Sequence, residues 1–176
     1  MWQEPTTKDS YNDRSITVGL GGNLPSCHGM PRRTLEAALS YLDNEGIRIL
    51  RCSRFWKTAP VPASDQPWFV NAVALVDTPL APADLLAALH AVEAVFGRQR
   101  GGVNAARCLD LDLLAYGRRI ESGIVMLPHP RLAERAFVLL PLREVAPEWR
   151  HPLDGRTVEQ MIADLPPGQQ ALPMDD

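Results

Sequence analysis

The chain has 176 residues, of which 45% are hydrophobic, and this is enough for one domain with a sizeable core. No apolar run approaches the roughly 20 residues that a membrane-spanning helix needs, and the first residues lack the apolar segment of a signal peptide. The net charge of −3 gives no reason to expect a nucleic-acid partner. Three scattered cysteines without a CxxC pair argue against a disulfide framework or a zinc site. We therefore expect a cytoplasmic protein.

Hydrophobic periodicity predicts strands and helices between two polar ends. Residues 1–14 lack periodicity and residues 166–176 are rich in Pro, Gly and Gln, so we predict flexible tails around a single domain, residues 15–165. In chain order the pattern predicts a strand at 15–20, a helix at 31–42, strands at 47–58 and 69–77, a helix at 83–96, a strand at 109–115, a helix at 133–145 and a short helix at 158–164. Gly97 is expected to end the helix at 83–96. Pro141 is expected to kink or split the helix at 133–145.

This order of elements indicates the fold class. A strand, a helix, two strands, a helix and a strand form an α+β pattern with a mostly antiparallel sheet. We expect the helices to cover one face of the sheet and the other face to carry the site.

The most informative segment is residues 107–116, which read RCLDLDLLAY. Apolar and acidic residues alternate with the period of a strand, so Asp110 and Asp112 share one face and the neighbouring leucines share the other. Two carboxylates about 7 Å apart on a strand are costly to bury unpaired but suit divalent cations with substrate phosphates. The pattern alone leaves two interpretations open, an acidic face in solvent and a magnesium site. Basic residues on both sides of the segment favour the second, because they suit phosphate oxygens: Arg98, Arg100, Arg107, His129, Arg131 and Arg135.

Five separated segments together resemble one family. They are GGNL at 21–24, DQPWFVNA at 65–72, Glu93 with GRQR at 97–100, residues 107–114, and PHPR at 128–131 with RAF at 135–137. On these motifs the chain resembles the 6-hydroxymethyl-7,8-dihydropterin pyrophosphokinases of folate biosynthesis, over roughly residues 15–160.

The resemblance implies a ferredoxin-like fold and an ATP-dependent diphosphokinase. The hydroxymethyl oxygen of the pterin would attack the β-phosphorus of ATP, giving AMP and the pterin diphosphate ester. Two magnesium ions would take part, bound by Asp110 and Asp112. The partners would be these small molecules, with no nucleic acid or membrane, and we expect a monomer.

The resemblance also assigns roles to residues of the predicted site. Arg98 and Arg107 would be catalytic with the two aspartates, stabilising charge on the transferred group. The residues expected to bind ATP are His129, Arg131 and Arg135. The residues expected to bind the pterin are Thr58, Ala59, Val61, Phe69, Asn71 and Phe137, with the two phenylalanines stacking on its ring and the asparagine reading its polar edge. Glu93 has a simpler interpretation as an exposed helix residue that pairs with Arg98 or Arg100.

The chain departs from the family pattern just before the acidic strand. The family usually has Trp-Gly-Pro-Arg there, in a loop that closes over the substrates, whereas this chain has no tryptophan between Gly101 and Ala106. We therefore expect an active enzyme with a modified lid. Two alternatives stay open at this point: a related diphosphotransferase that acts on a different pteridine, and a degenerate relative that binds nucleotide or pterin without turnover.

Overall fold

The computed structural model describes residues 15–99, 101 and 105–175. Its strands are β1 (Ile16–Gly22), β2 (Arg48–Cys52), β3 (Trp56–Thr58), β4 (Phe69–Asp77), β5 (Asp110–Tyr116) and β6 (Ala171–Pro173). Its α-helices are α1 (Pro31–Asn44), α2 (Pro82–Val95), α3 (Ala136–Val145) and α4 (Val158–Ala163), and a short 3-10 turn, Leu132–Glu134, precedes α3. In the described part of the chain no helix has the length and apolar character to cross a membrane.

All strand pairs are antiparallel and form one sheet. Its order is β5-β1-β4-β3-β6, and β2 pairs with the second half of β4, beyond β3. Because β2 and β3 both lie along the same edge of β4, they act as one interrupted strand. The arrangement is then strand-helix-strand-strand-helix-strand, the pattern of ferredoxin-like folds. The predicted α+β class is confirmed.

Side-chain alternation along the sheet separates two cores. Val70, Ala74 and Val76 of β4 pack with α1 and α2 on one face. Val73 and Leu75, from the same strand, pack with α3 and α4 on the opposite face. The expectation that helices cover one face therefore holds for α1 and α2, whereas α3 and α4 occupy part of the other face. The site lies on that second face, beside α3.

Two predicted elements differ in detail. The strand predicted at 47–58 is interrupted at Ser53, whose hydroxyl accepts the backbone N–H of Val73 while its own N–H donates to the Val73 carbonyl. The helix predicted at 133–145 is not split at Pro141, which lies inside α3. The break falls at Arg135, where the backbone is extended between the 3-10 turn and α3.

The structure places a strand within the segment from residue 166 onward, which we predicted to be a flexible tail. Ala171–Pro173 form β6 and pair with β3, and the Met174 N–H donates to the Phe55 carbonyl at 2.8 Å. Composition suggested a tail because proline and glycine are poor strand formers, but an edge strand of three residues needs little propensity when its neighbour supplies the hydrogen bonds. The predicted tail 1–14 lies outside the described residues.

Candidate active site

A cavity of about 410 Å³ opens on the sheet face that carries α3. Its floor is the middle of β1, where Gly19 is paired with Asp112 and Gly21 with Asp110. Neither glycine projects a side chain, so the sheet surface beside both carboxylates is left open. A Cβ at Gly21 would lie 2.6 Å from Oδ1 of Asn71, and one at Gly19 would lie 3.3 Å from Leu114. The glycines therefore make room for the side chains of Asn71 and Leu114, which line the cavity.

The structure brings together all but one of the predicted site residues. Those that line the cavity are Thr58, Ala59, Val61, Phe69, Asn71, Arg98, Arg107, Asp110, Asp112, His129, Arg135 and Phe137. Arg131 is the exception, because it is exposed and does not line the cavity. It contacts the site through its backbone N–H, which donates to Nδ1 of His129 at 3.1 Å.

Asp110 is held between two arginines. Its Oδ1 lies 2.7 Å from Nη1 of Arg98, and its Oδ2 lies 2.9 Å from Nη1 of Arg107. Arg107 is itself oriented by a hydrogen bond from its Nε to the Ala105 carbonyl at 3.0 Å. Both guanidiniums therefore lie at the cavity wall with the Asp110 carboxylate between them. They could release this carboxylate and bind another oxyanion in its place.

Glu93 is not the exposed helix residue that one interpretation expected. It is only 4% exposed, and its Oε1 accepts the backbone N–H of Leu111 at 2.6 Å and also contacts Nη1 of Arg98. Burial raises the pKa of its carboxyl to about 7, against the lowering effect of these two donors. Gly97, with φ of +81°, ends α2 and turns the chain so that Arg98 N–H reaches the Glu93 carbonyl. Glu93 therefore joins α2, Arg98 and the acidic strand.

The second carboxylate lies in a different electrostatic setting. Burial and the neighbouring Asp110 raise the pKa of Asp112 to about 6, opposed mainly by Arg135, whose Nη1 lies 3.8 Å from its Oδ2. Burial, together with Arg135 and Arg131, lowers the pKa of His129 to about 4. His129 is therefore a neutral ring at pH 7. Its backbone N–H donates to the Leu114 carbonyl at 2.8 Å, which fixes its loop against β5.

One wall of the cavity combines aromatic and polar groups. Nδ2 of Asn71 donates to Oγ1 of Thr58 at 2.7 Å, and both residues are buried. This bond fixes which end of the amide faces Thr58. Phe69 begins β4 beside them, and Phe137 lies in the first turn of α3, where the guanidinium of Arg135 stacks over its ring at 5.3 Å. An amide edge and two aromatic rings that line the same cavity suit a flat heterocycle with donors and acceptors.

Asn23 does not line the cavity but holds residues around it, a role that the sequence did not reveal. Its Oδ1 accepts the backbone N–H of Arg107 at 2.9 Å, and its Nδ2 donates to the Pro67 carbonyl at 3.0 Å and to the Gln66 side chain at 3.2 Å. The buried amide ties the end of β1 to both sides of the cavity. Its place in the GGNL motif was the available signal.

The donor set fits a hard cation. Asp110 and Asp112 offer carboxylate oxygens on one face of β5. Within residues 15–99, 101 and 105–175, no group of three or more His, Cys, Asp or Glu side chains lies close enough together to hold a metal ion. Magnesium often takes one or two carboxylates together with water and substrate phosphates. The predicted modified lid, residues 101–106, lies partly outside the described residues, since positions 102–104 are not described.

Comparison with known proteins gives consistent matches. The sequence pattern of the family "7,8-dihydro-6-hydroxymethylpterin-pyrophosphokinase (HPPK)" matches residues 17–147. The 2-amino-4-hydroxy-6-hydroxymethyldihydropteridine pyrophosphokinase of Pseudomonas aeruginosa is 40% identical over 153 residues, covering 86% of this chain and 91% of the relative. The folic acid synthesis protein fol1 of Pneumocystis carinii is 35% identical over 153 residues, but the chain spans only 20% of that longer protein.

A solved structure matches in fold. The crystal structure of Plasmodium falciparum HPPK-DHPS A437G with STZ-DHP superposes with a TM-score of 0.67 at 13% identity. The match covers 89% of this chain and 46% of the Plasmodium chain. At this identity the likeness concerns the fold alone.

Proposed function

Because the chain belongs to the 7,8-dihydro-6-hydroxymethylpterin-pyrophosphokinase family, it is a pyrophosphokinase of folate synthesis that acts on hydroxymethyl-dihydropterin, and we propose that the cavity beside β5 is where the transfer occurs. ATP is the donor that the family uses. The bond between the α-phosphate and the β-phosphate breaks, and a bond forms between the pterin hydroxymethyl oxygen and the β-phosphorus. The hydroxyl loses its proton, and AMP leaves.

The aromatic wall is the proposed pterin site. Phe69 and Phe137 stack on the pterin ring, and the Asn71 amide, oriented by Thr58, pairs with its polar edge. Backbone groups at Ala59 and Val61 line the same end of the cavity. Stacking and hydrogen bonding together fix the ring so that its hydroxymethyl group points toward β5.

The basic residues at the other end are the proposed triphosphate site. Arg98, Arg107 and Arg135 present guanidiniums around the two aspartates, and neutral His129 offers a ring nitrogen that can donate to a phosphate oxygen. Arg131 is a less direct participant, because its side chain lies outside the cavity. Transfer of a phosphoryl group depends mainly on positioning and on neutralising charge, which is what this set supplies.

Magnesium is the cation that we propose for Asp110 and Asp112, two ions in all. When bound, magnesium would neutralise phosphate charge and polarise the attacking hydroxyl. The ATP phosphates are alternative partners for Arg98 and Arg107, so substrate entry would release both oxygens of Asp110 for the cation. The carboxylates also keep the surrounding arginines in place before substrate arrives.

The observation that carries this proposal is the convergence of Asp110, Asp112, Arg98, Arg107 and the phenylalanine pair on one cavity. AMP formation from ATP, magnesium and 6-hydroxymethyl-7,8-dihydropterin tests it. We expect AMP in the complete mixture and none without pterin. Equal AMP formation by Asp112→Asn would contradict the assignment of the carboxylates.

Cellular location and oligomeric state stay predictions. Cys27, Cys52 and Cys108 are free, as expected for a reducing compartment such as the cytoplasm. A monomer is the state that we propose. Gel filtration with light scattering would test the latter.

A further inference from the structure

The C-terminal segment, residues 166–175, touches both walls of the cavity. On one side it adds β6 to β3, so that Thr58 is paired with Ala171. The backbone N–H of Ala59 donates to the Gln170 carbonyl at 3.0 Å, immediately beside that pair. The segment is thereby anchored to the wall that we assign to the pterin. It also lies beyond residue 147, where the family match ends.

On the other side the segment reaches the start of α3 through one side chain. Oε1 of Gln169 accepts the backbone N–H of Ala136 at 2.8 Å, and its Nε2 donates to the Glu134 carbonyl at 2.8 Å. Both ends of the amide are therefore used. Gly168, with φ of +89°, supplies the left-handed turn that delivers Gln169 to this position.

The start of α3 needs this outside partner because of what stands at its N-cap. The N-cap residue is Arg135, and no side chain of its own turn caps the helix. Ser, Thr, Asp or Asn would normally accept the first free N–H groups. Arg135 instead extends toward Asp112 and cannot accept a hydrogen bond. Gln169 supplies the missing acceptor from 33 residues further along the chain.

Ala136 lies between Arg135, which we propose to bind the triphosphate, and Phe137, which we propose to stack on the pterin. We propose that Gln169 is a positioning residue that holds these two side chains in register with the pterin wall, and that the C-terminal segment supports the substrate site from outside through this one side chain. This inference rests on the proposed function. It predicts that loss of the Gln169 amide weakens both substrates at once.

Kinetic comparison of Gln169→Ala with Gln170→Ala tests the proposal. Gln170 is exposed and contributes its backbone carbonyl, which the substitution keeps, so it is a matched control. Two lost hydrogen bonds should raise KM for ATP and for the pterin about three- to tenfold each in Gln169→Ala. The kcat should change less, and the control should match the wild type. Assays are run well below the Tm of each variant.

Gln169→Glu adds a second comparison. It keeps an acceptor for the Ala136 N–H but loses the donor to the Glu134 carbonyl, so KM values between the wild type and Gln169→Ala are expected. If Gln169→Ala does not fold, this variant replaces it.

The possible outcomes distinguish a failure of the proposed function from a failure of the role assigned to Gln169. An inactive wild type would refute the proposed function. An active wild type with the same KM values in Gln169→Ala and Gln170→Ala would overturn the positioning role. Activity that falls only in proportion to folded protein, with KM unchanged, would overturn it as well.

Discussion

Glu93→Gln should make the protein more stable above neutral pH and less active. The Glu93 carboxylate is buried, and its contacts with Leu111 N–H and with Arg98 use the same oxygen. A glutamine has an amide oxygen of similar reach, so it can accept the Leu111 N–H without a charge. What it removes is the cost of burying an anion and one of the two carboxylates that hold Arg98.

The magnitude follows from the pKa. The pKa of Glu93 is raised from 4.5 to about 7 in the folded protein, so the folded state binds the proton more tightly than the unfolded state. The free energy of unfolding then falls as pH rises from about 4.5 to about 7 and stays low above that. The full difference is about 3 kcal/mol at pH 8. Glu93→Gln cannot ionise, so it should avoid this loss.

Urea unfolding of both proteins at pH 5 and pH 8 measures the effect. The free energy of unfolding of Glu93→Gln relative to wild type should rise by about 2–3 kcal/mol between the two pH values. Glu159→Gln is the matched control, because that helix residue has a side chain 65% exposed and should show no such change. A difference between Glu93→Gln and wild type that is independent of pH would refute the reasoning. The same variant should lose roughly tenfold in kcat/KM through a less well-held Arg98.

Three further outcomes are expected. Asp112→Asn should lower magnesium-dependent AMP formation by at least about 10²-fold with its circular dichroism spectrum unchanged, and turnover within a factor of two of wild type would refute the carboxylate role. Gly21→Ala should raise KM for the pterin more than KM for ATP, because the new Cβ would meet Asn71 Oδ1 at 2.6 Å; unchanged pterin binding by calorimetry would show that the amide edge is not used. The pKa of His129 is lowered to about 4, so its ring should be neutral above pH 5. NMR of the free protein should therefore show no titration of that ring between pH 5.5 and 8. A titration midpoint near 6.5 would contradict the lowering of the pKa by burial.

The acidic strand shows how far sequence patterns reach. Alternation alone placed Asp110 and Asp112 on one face and the leucines on the other, and the structure has them so because one face of β5 packs on α2. The family motifs then brought distant residues into one site. The order of these motifs along the chain indicates which distant residues share a site, whereas hydrophobic periodicity does not.

Glu93 and the C-terminal segment show what patterns miss. A glutamate at the edge of an apolar helix face is usually solvated, and only the neighbouring Leu111 N–H and Arg98 make its burial tolerable. Gln169 sits in a Pro- and Gly-rich stretch whose composition predicts a tail. Its partners, Glu134 and Ala136, lie more than 30 residues away, so no local signal could reveal the contact.

A crystal structure with magnesium, a non-hydrolysable ATP analogue and the pterin bound is the most direct test of the proposed site. We expect the pterin ring between Phe69 and Phe137, the triphosphate on Arg98, Arg107 and Arg135, and the metal on Asp110 and Asp112. A triphosphate bound away from β5, with Asp110 still paired to both arginines, would contradict it.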